Sequence, residues 1–113
     1  MKAGVAKFVA VAVLFGFTLL LAEEPILCYV GGTMRPAMEE LVKTYEAKTG
    51  KKVLVDYSGS GELIVKIKQT KKGDLFVAHD PFHAQVMKEG LGVKGWMIAS
   101  VVPVIVVQKG NPK

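Results

Sequence analysis

Two short stretches of the chain put small residues and hydroxyls where a helix is due to begin. Gly31-Gly32-Thr33 follows the apolar run ILCYV (26–30), and Ser58-Gly59-Ser60-Gly61 follows KVLVDY (52–57). A helix start presents unpaired backbone N–H groups and a partial positive charge, so it holds an anion with neutral donors. Glycine lets a ligand come close to the backbone. In such a site Thr33 and Ser60 each add a hydroxyl donor, Gly32 opens the approach, and Met34 and Gly61 supply N–H groups. Pro36 has no N–H to offer in the first turn.

The same residues have a plainer reading, because Ser and Thr are ordinary N-caps and glycine is common in tight loops. What favours chemistry is the pairing. Both turns share one composition, and in a parallel sheet both open from the carboxyl ends of the strands, where ligands bind. Glu62 works against an anion, since a carboxylate in the first turn is itself a partner for the helix dipole. Arg35 is expected to offset it in part.

Other candidate chemistry is weaker. His79, Asp80 and His83 in AHDPFH resemble metal ligands, with the two histidines four residues apart. Yet His79 precedes the expected helix, and Asp80 before Pro81 reads as an N-cap with proline at the first helical position. No metal site is assigned. Neither Ser60 nor Thr33 has a histidine in a recognisable nucleophile motif, and Cys28 lies in a buried-looking run. With a single cysteine, an internal disulfide and a zinc site of several thiolates are both ruled out. The reading is a binding protein that is not an enzyme and has no cofactor.

The elements that position these turns alternate. Met34, Met38, Leu41, Val42 and Tyr45 recur at helical spacing and form one apolar face of a helix closed by Gly50. Leu63, Ile64 and Ile67 do the same in a second helix over 58–69, and a short third helix runs from Asp80 to about Lys88. Strands are expected at 26–30, 52–57, 74–78 and, in the very apolar VVPVIVVQ, at 101–108, with Pro103 at an edge or a crossover. Strand and helix in alternation with short connections predict right-handed βαβ units. The fold class is α/β, a parallel sheet with flanking helices.

Ahead of this domain, Met1 to Ala22 reads as a secretory signal: Lys2 and Lys7 form a basic head before the uncharged FVAVAVLFGFTLLLA, and Glu23-Glu24 follow. Leu20 fits poorly in the third position before a cut after Ala22, which leaves an uncleaved membrane anchor open. The apolar stretch is short for a span, which needs roughly 20 residues. The organisation is therefore signal peptide over 1–22 and one domain over 23–113. The chain has 15 basic and 10 acidic residues, so removing Lys2 and Lys7 leaves a net charge of +3. The lysines fall mostly at helix ends and polar faces without an interleaved aromatic platform, which argues against nucleic acid.

Taken together, the small-residue turn with its hydroxyl, PAMEELVKTYEAKTGKKV, DYSGSGELIVKI and GDLFVAHD resemble the N-terminal lobe of the molybdate-binding proteins of ABC transporters. These are periplasmic receptors of the type II binding-protein fold, and the resemblance covers roughly Ile26 to Pro112. It implies that Thr33, standing where the family has a serine, and Ser60 give hydroxyls to a tetrahedral oxyanion, with neighbouring N–H groups completing this lobe's share. Molybdate, tungstate or a smaller oxyanion such as sulfate all remain open. It further implies export to the periplasm, a membrane permease as partner, a monomer in the full-length form, and a second lobe that closes over the anion. Since the chain stops at Lys113, the expectation is a first lobe only, with a non-binding truncated fragment as the alternative. The effector domain of a transcription regulator shares the fold, but the secretory N-terminus and the lack of a DNA-binding helical module argue against it.

Overall fold

A computed structural model describes residues 23–111 of the chain; the signal peptide expected over Met1 to Ala22 lies outside the described residues. Strand β1 (Ile26–Gly31) runs into a 3-10 turn (Gly32–Met34) and helix α1 (Arg35–Thr49). Strand β2 (Val53–Ser58), helix α2 (Ser60–Thr70), strand β3 (Leu75–Val77) and helix α3 (Phe82–Lys88) follow. The sheet has the order β2-β1-β3 and both pairings are parallel. The fold is α/β, as expected.

β1 is the middle strand and is covered from both sides, which is why Cys28, Tyr29 and Val30 are all buried in sequence without polar alternation. Registered partners in a parallel sheet share a face, so the pairs Tyr29–Asp56 and Val30–Tyr57 sort the two layers. Asp56 reaches Lys66 of α2 at 2.7 Å, and Tyr57 lies beneath Arg35 of α1. Thus α2 covers the Tyr29 face and α1 covers the Val30 face. The core is completed by Leu63 and Ile64 of α2 and by Val86 of α3.

Local chemistry ends each helix where the sequence indicates. Gly50 takes the left-handed conformation (φ 71°) and its N–H reaches the Glu46 carbonyl at 2.8 Å. The Glu46 side chain then accepts from the Val53 N–H at 2.9 Å, tying α1 to the start of β2. After α2, Gly73 has φ 138°, and a β-carbon there would stand 2.7 Å from the Tyr29 ring, so only glycine fits. Asp74 next clamps β1 twice: its N–H donates to the Leu27 carbonyl and its carboxylate accepts from the Leu27 N–H, both at 2.8 Å.

Three expectations need correction. The apolar face of α1 is narrower than its spacing suggests: Met34, Met38 and Val42 turn inward, but Leu41 is 61% exposed and Tyr45 40%. The sheet beneath has only three strands, and α1 meets two of them, so residues to one side of the stripe find nothing to cover them. Helix α3 starts at Phe82 with Pro81 at the N-cap position, and Asp80 caps nothing. The Phe82 N–H is instead satisfied by the His79 carbonyl at 3.2 Å.

The third correction is the largest. VVPVIVVQ forms no strand; residues 101–108 carry no regular structure and are exposed throughout. Strand-prone composition supplies a surface that packs well in a sheet, but the ladder itself requires a partner backbone. Among the described residues none is offered to this run, and β3, the nearest edge in sequence, is three residues long.

Candidate functional site

β1 and β2 end in register, Gly31 opposite Ser58, and Val30 is also opposite Val77 of β3. All three strands therefore stop at one edge. The turns that follow β1 and β2 are brought together there, as the sequence pattern requires.

The closest meeting is between Gly31 and Ser60. A β-carbon on Gly31 would lie 3.1 Å from Ser60 Oγ, 2.9 Å from the terminal methyl of Met34 and 3.7 Å from the Val77 carbonyl oxygen. The bare α-carbon of Gly31 is what allows the second turn to lie against the first. Gly31 itself is underrated by sequence reading, which weighs Gly32 and Thr33 as the working part of the turn. Gly32 has more room, its β-carbon position being 3.8 Å from the Ser58 carbonyl.

Ser60 is 6% exposed, and its hydroxyl has no hydrogen-bond partner. A buried polar group left unpaired costs about 1–3 kcal/mol, so its retention calls for an explanation. Capping is not that explanation. Gly59 occupies the N-cap of α2 with extended backbone (φ −64°, ψ 138°), Ser60 is the first helical residue, and no side chain caps the helix. The first turn is likewise uncapped: Gly31 precedes the 3-10 turn and Met34 precedes α1, neither giving a side-chain bond. Thr33 sits within the 3-10 turn and is exposed. The expectation of hydroxyls at two N-caps thus fails in detail, and it fails in the direction that frees both hydroxyls from a structural duty.

Gly61 is the second helical residue of α2 and is exposed; a β-carbon there would be 3.8 Å from the ring of Phe82. Phe82, at the start of α3, is a neighbour that the spacing of the chain gives no hint of. Met34 contributes more than a backbone group, since its methyl lies beside the same β-carbon position of Gly31 that Ser60 Oγ approaches.

The charges near this edge are arranged differently from expectation. The Ser58 hydroxyl donates to the Glu62 carboxylate, whose oxygen and carbon atoms fold back to 3.7–3.9 Å from the β-carbon position of Gly59. Glu62 is therefore held at the start of α2. Arg35 does not offset it: the guanidinium lies 4.4 Å over the Tyr57 ring and 4.0 Å from Glu39, with no contact to Glu62. Burial and the Glu39 charge push the Tyr57 hydroxyl up, with Arg35 pulling the other way, so the ring meets the cation as a neutral phenol.

His79 and His83 are not brought into one ligand set. His79 Nδ1 is 2.8 Å from the Asp80 carbonyl and its ring stands edge-on to Phe82, while the His83 ring packs against Gly95. Among the described residues no three His, Cys, Asp or Glu side chains gather as a metal centre would require. Cys28 is buried in β1, and that burial, with the charge of Asp74, pushes its thiol up and disfavours the nucleophilic thiolate. What the edge offers is donors without a nucleophile: two uncapped helix starts, two hydroxyls and glycines that keep the approach open.

Over residues 26–113 the chain matches the family described as bacterial extracellular solute-binding protein. It belongs to that family. A protein of Haemophilus influenzae (strain KW20 / Rd), named provisionally as a binding protein, is 30% identical over 104 residues, covering 91% of this chain and 42% of that relative. The chain spans under half the length of the curated relative it matches.

Membership in that family implies export. Two shallow hollows lie away from the carboxyl ends of the strands, one lined by Glu23, Thr49, Lys51 and Lys52 and one by Glu40, Lys43 and Thr44 along α1. Neither includes a residue of the two turns. A set of donors on the open edge of one sheet is a surface, and concavity at such an edge needs a second wall.

Proposed function

We propose that this chain supplies one wall of an oxyanion receptor of the type II periplasmic binding-protein fold, which captures molybdate or tungstate and hands it to the permease of an ABC transporter. The observation that carries the reading is the Ser60 hydroxyl: buried, unpartnered, and laid against Gly31 where two helix starts meet. A tetrahedral dianion brings four acceptor oxygens, which is what an edge of unpaired N–H and O–H donors lacks. Thr33 offers the second hydroxyl, Met34 and Gly61 the N–H groups, and Gly32 the open approach. Membership in an extracellular solute-binding family supports the transport role.

The test is calorimetry on the full-length protein with molybdate and tungstate. Ser60→Ala is expected to weaken binding by about 1.5–3 kcal/mol, the worth of a hydrogen bond to a charged acceptor, which is about ten- to a hundredfold in Kd. Thr33→Ala, on the exposed turn, is expected to lose less. His83→Ala serves as a control that leaves affinity unchanged. Wild-type affinity in Ser60→Ala would remove the reading.

A further inference from the structure

Glu62 stands two residues beyond Ser60 in α2, and its carboxylate folds back over Gly59 to accept the Ser58 hydroxyl. An acidic side chain in this position has an ordinary role, since negative charge near a helix start is favourable to the helix. Here it also borders the edge where the buried, unpartnered Ser60 hydroxyl meets Gly31, and Arg35 is turned away to Tyr57 and Glu39. Arg35 thus leaves the carboxylate beside the donors, and the one ammonium among the described residues near enough to bear on Glu62, that of Lys66, is bound at 2.7 Å to Asp56.

An ionised carboxylate only accepts hydrogen bonds. An oxyanion with no proton, such as molybdate in neutral solution, brings only acceptors and meets Glu62 as one negative charge meets another. An oxyanion that retains a proton, such as hydrogen phosphate, brings an O–H that the carboxylate can accept. We propose that Glu62 is a specificity-determining residue of this site, lowering the affinity for oxyanions that carry no proton and sparing those that present an O–H. The inference rests on the oxyanion reading of the Ser60 edge. Molybdate then binds in spite of Glu62, held by donors from both turns, and Glu62 sets how tightly.

The experiment is calorimetric titration of the full-length protein with sodium molybdate and with inorganic phosphate at about pH 8, where both anions are mainly dianions and only phosphate has an O–H. Across a partly solvated edge, removing one unit charge is expected to change a dianion's affinity by about three- to tenfold. Glu62→Gln should tighten molybdate by that factor and leave phosphate within about twofold, whereas Glu62→Asp, which keeps the charge, should stay near wild type. Unchanged molybdate affinity in Glu62→Gln, or phosphate tightening as much as molybdate, overturns the proposal and leaves Glu62 as a helix-start charge. If Glu62→Gln does not fold, Ser58→Ala, which unties the carboxylate, carries the test: a molybdate-to-phosphate ratio equal to wild type counts against the proposal in the same way. Ser60→Ala separates the two readings. Weakened binding there with no effect of Glu62 keeps the site and removes its selectivity; unaltered binding there removes both.

Discussion

ILCYV (26–30) and VVPVIVVQ (101–108) are both strongly apolar, uncharged runs, yet one is the buried middle strand of the sheet and the other is exposed along its whole length. Val30 is fully buried while Ile105 is 93% exposed. Apolar, β-branched sequence does not choose between these outcomes. ILCYV has β2 on one side and β3 on the other, with the Asp74 clamp and the Lys52 carbonyl fixing its first residues, whereas VVPVIVVQ has no backbone to pair with among the described residues. A strand is a tertiary object, and its burial follows from its neighbours.

The sharpest way to break this comparison is to truncate one apolar side chain in each setting. Leu63→Ala, beneath β1 in the fully buried part of the core, is expected to cost about 2–5 kcal/mol of unfolding free energy, through lost burial and the cavity left behind. Val104→Ala, on a side chain 76% exposed, is expected to change stability by less than about 0.5 kcal/mol. Urea unfolding followed by circular dichroism measures both. A comparable loss at Val104 would mean that the run is packed in solution, and the contrast with ILCYV would fall.

The parts of the molecule that could be read in advance are those set by short-range chemistry. Gly50 stops α1 because a left-handed cap favours glycine, and the alternation of periods gives β1, α1, β2, α2 and β3 in order. What stayed hidden depends on distant residues. Leu41 and Tyr45 fit the helical stripe, and only the width of the sheet decides that they are left outside. At the candidate site, the hydroxyls and glycines of the two turns were visible as types. Their arrangement was not, since whether Ser60 caps α2 or lies unpartnered against Gly31 turns on a one-residue shift in the helix start. Phe82 gave no signal at all, because its approach to Gly61 is made by α3 returning to α2.

A smaller effect probes the packing of the central strand from the loop side. Gly73→Ala places a methyl 2.7 Å from the Tyr29 ring and asks a non-glycine residue to hold φ 138°. The expected loss is about 1–3 kcal/mol, the scale of overpacking and of backbone strain in a sparsely populated region. Combining it with Tyr29→Ala separates the two sources, since a cavity in place of the ring removes the clash and leaves the strain. Additive losses in the double variant would show that the two residues do not press on one another.

The smallest effect expected concerns the tie between α2 and α3. Lys68 and Glu89 approach to 2.6 Å, and Gln85 Nε2 donates to the same carboxylate at 3.1 Å. The hydrogen bond from Lys68, then that from Gln85, holds the Glu89 carboxyl below its ordinary value of 4.5. A folded pKa below the unfolded one means that the unfolded chain binds the proton more readily in the interval between them. The pair's contribution is therefore present above the unfolded value and is lost as the pH falls through the folded one. Because both side chains are partly solvated, salt screens the pair and its worth is slight. Thermal unfolding of wild type and Lys68→Gln at about pH 6 and about pH 3 isolates it: the two melting temperatures should differ slightly at the higher pH and converge at the lower. High salt should shrink the difference at pH 6 as well. A gap that persists at pH 3 would mean that Lys68 acts through the packing of its aliphatic stem between α2 and α3, with its charge irrelevant to how those helices are held together.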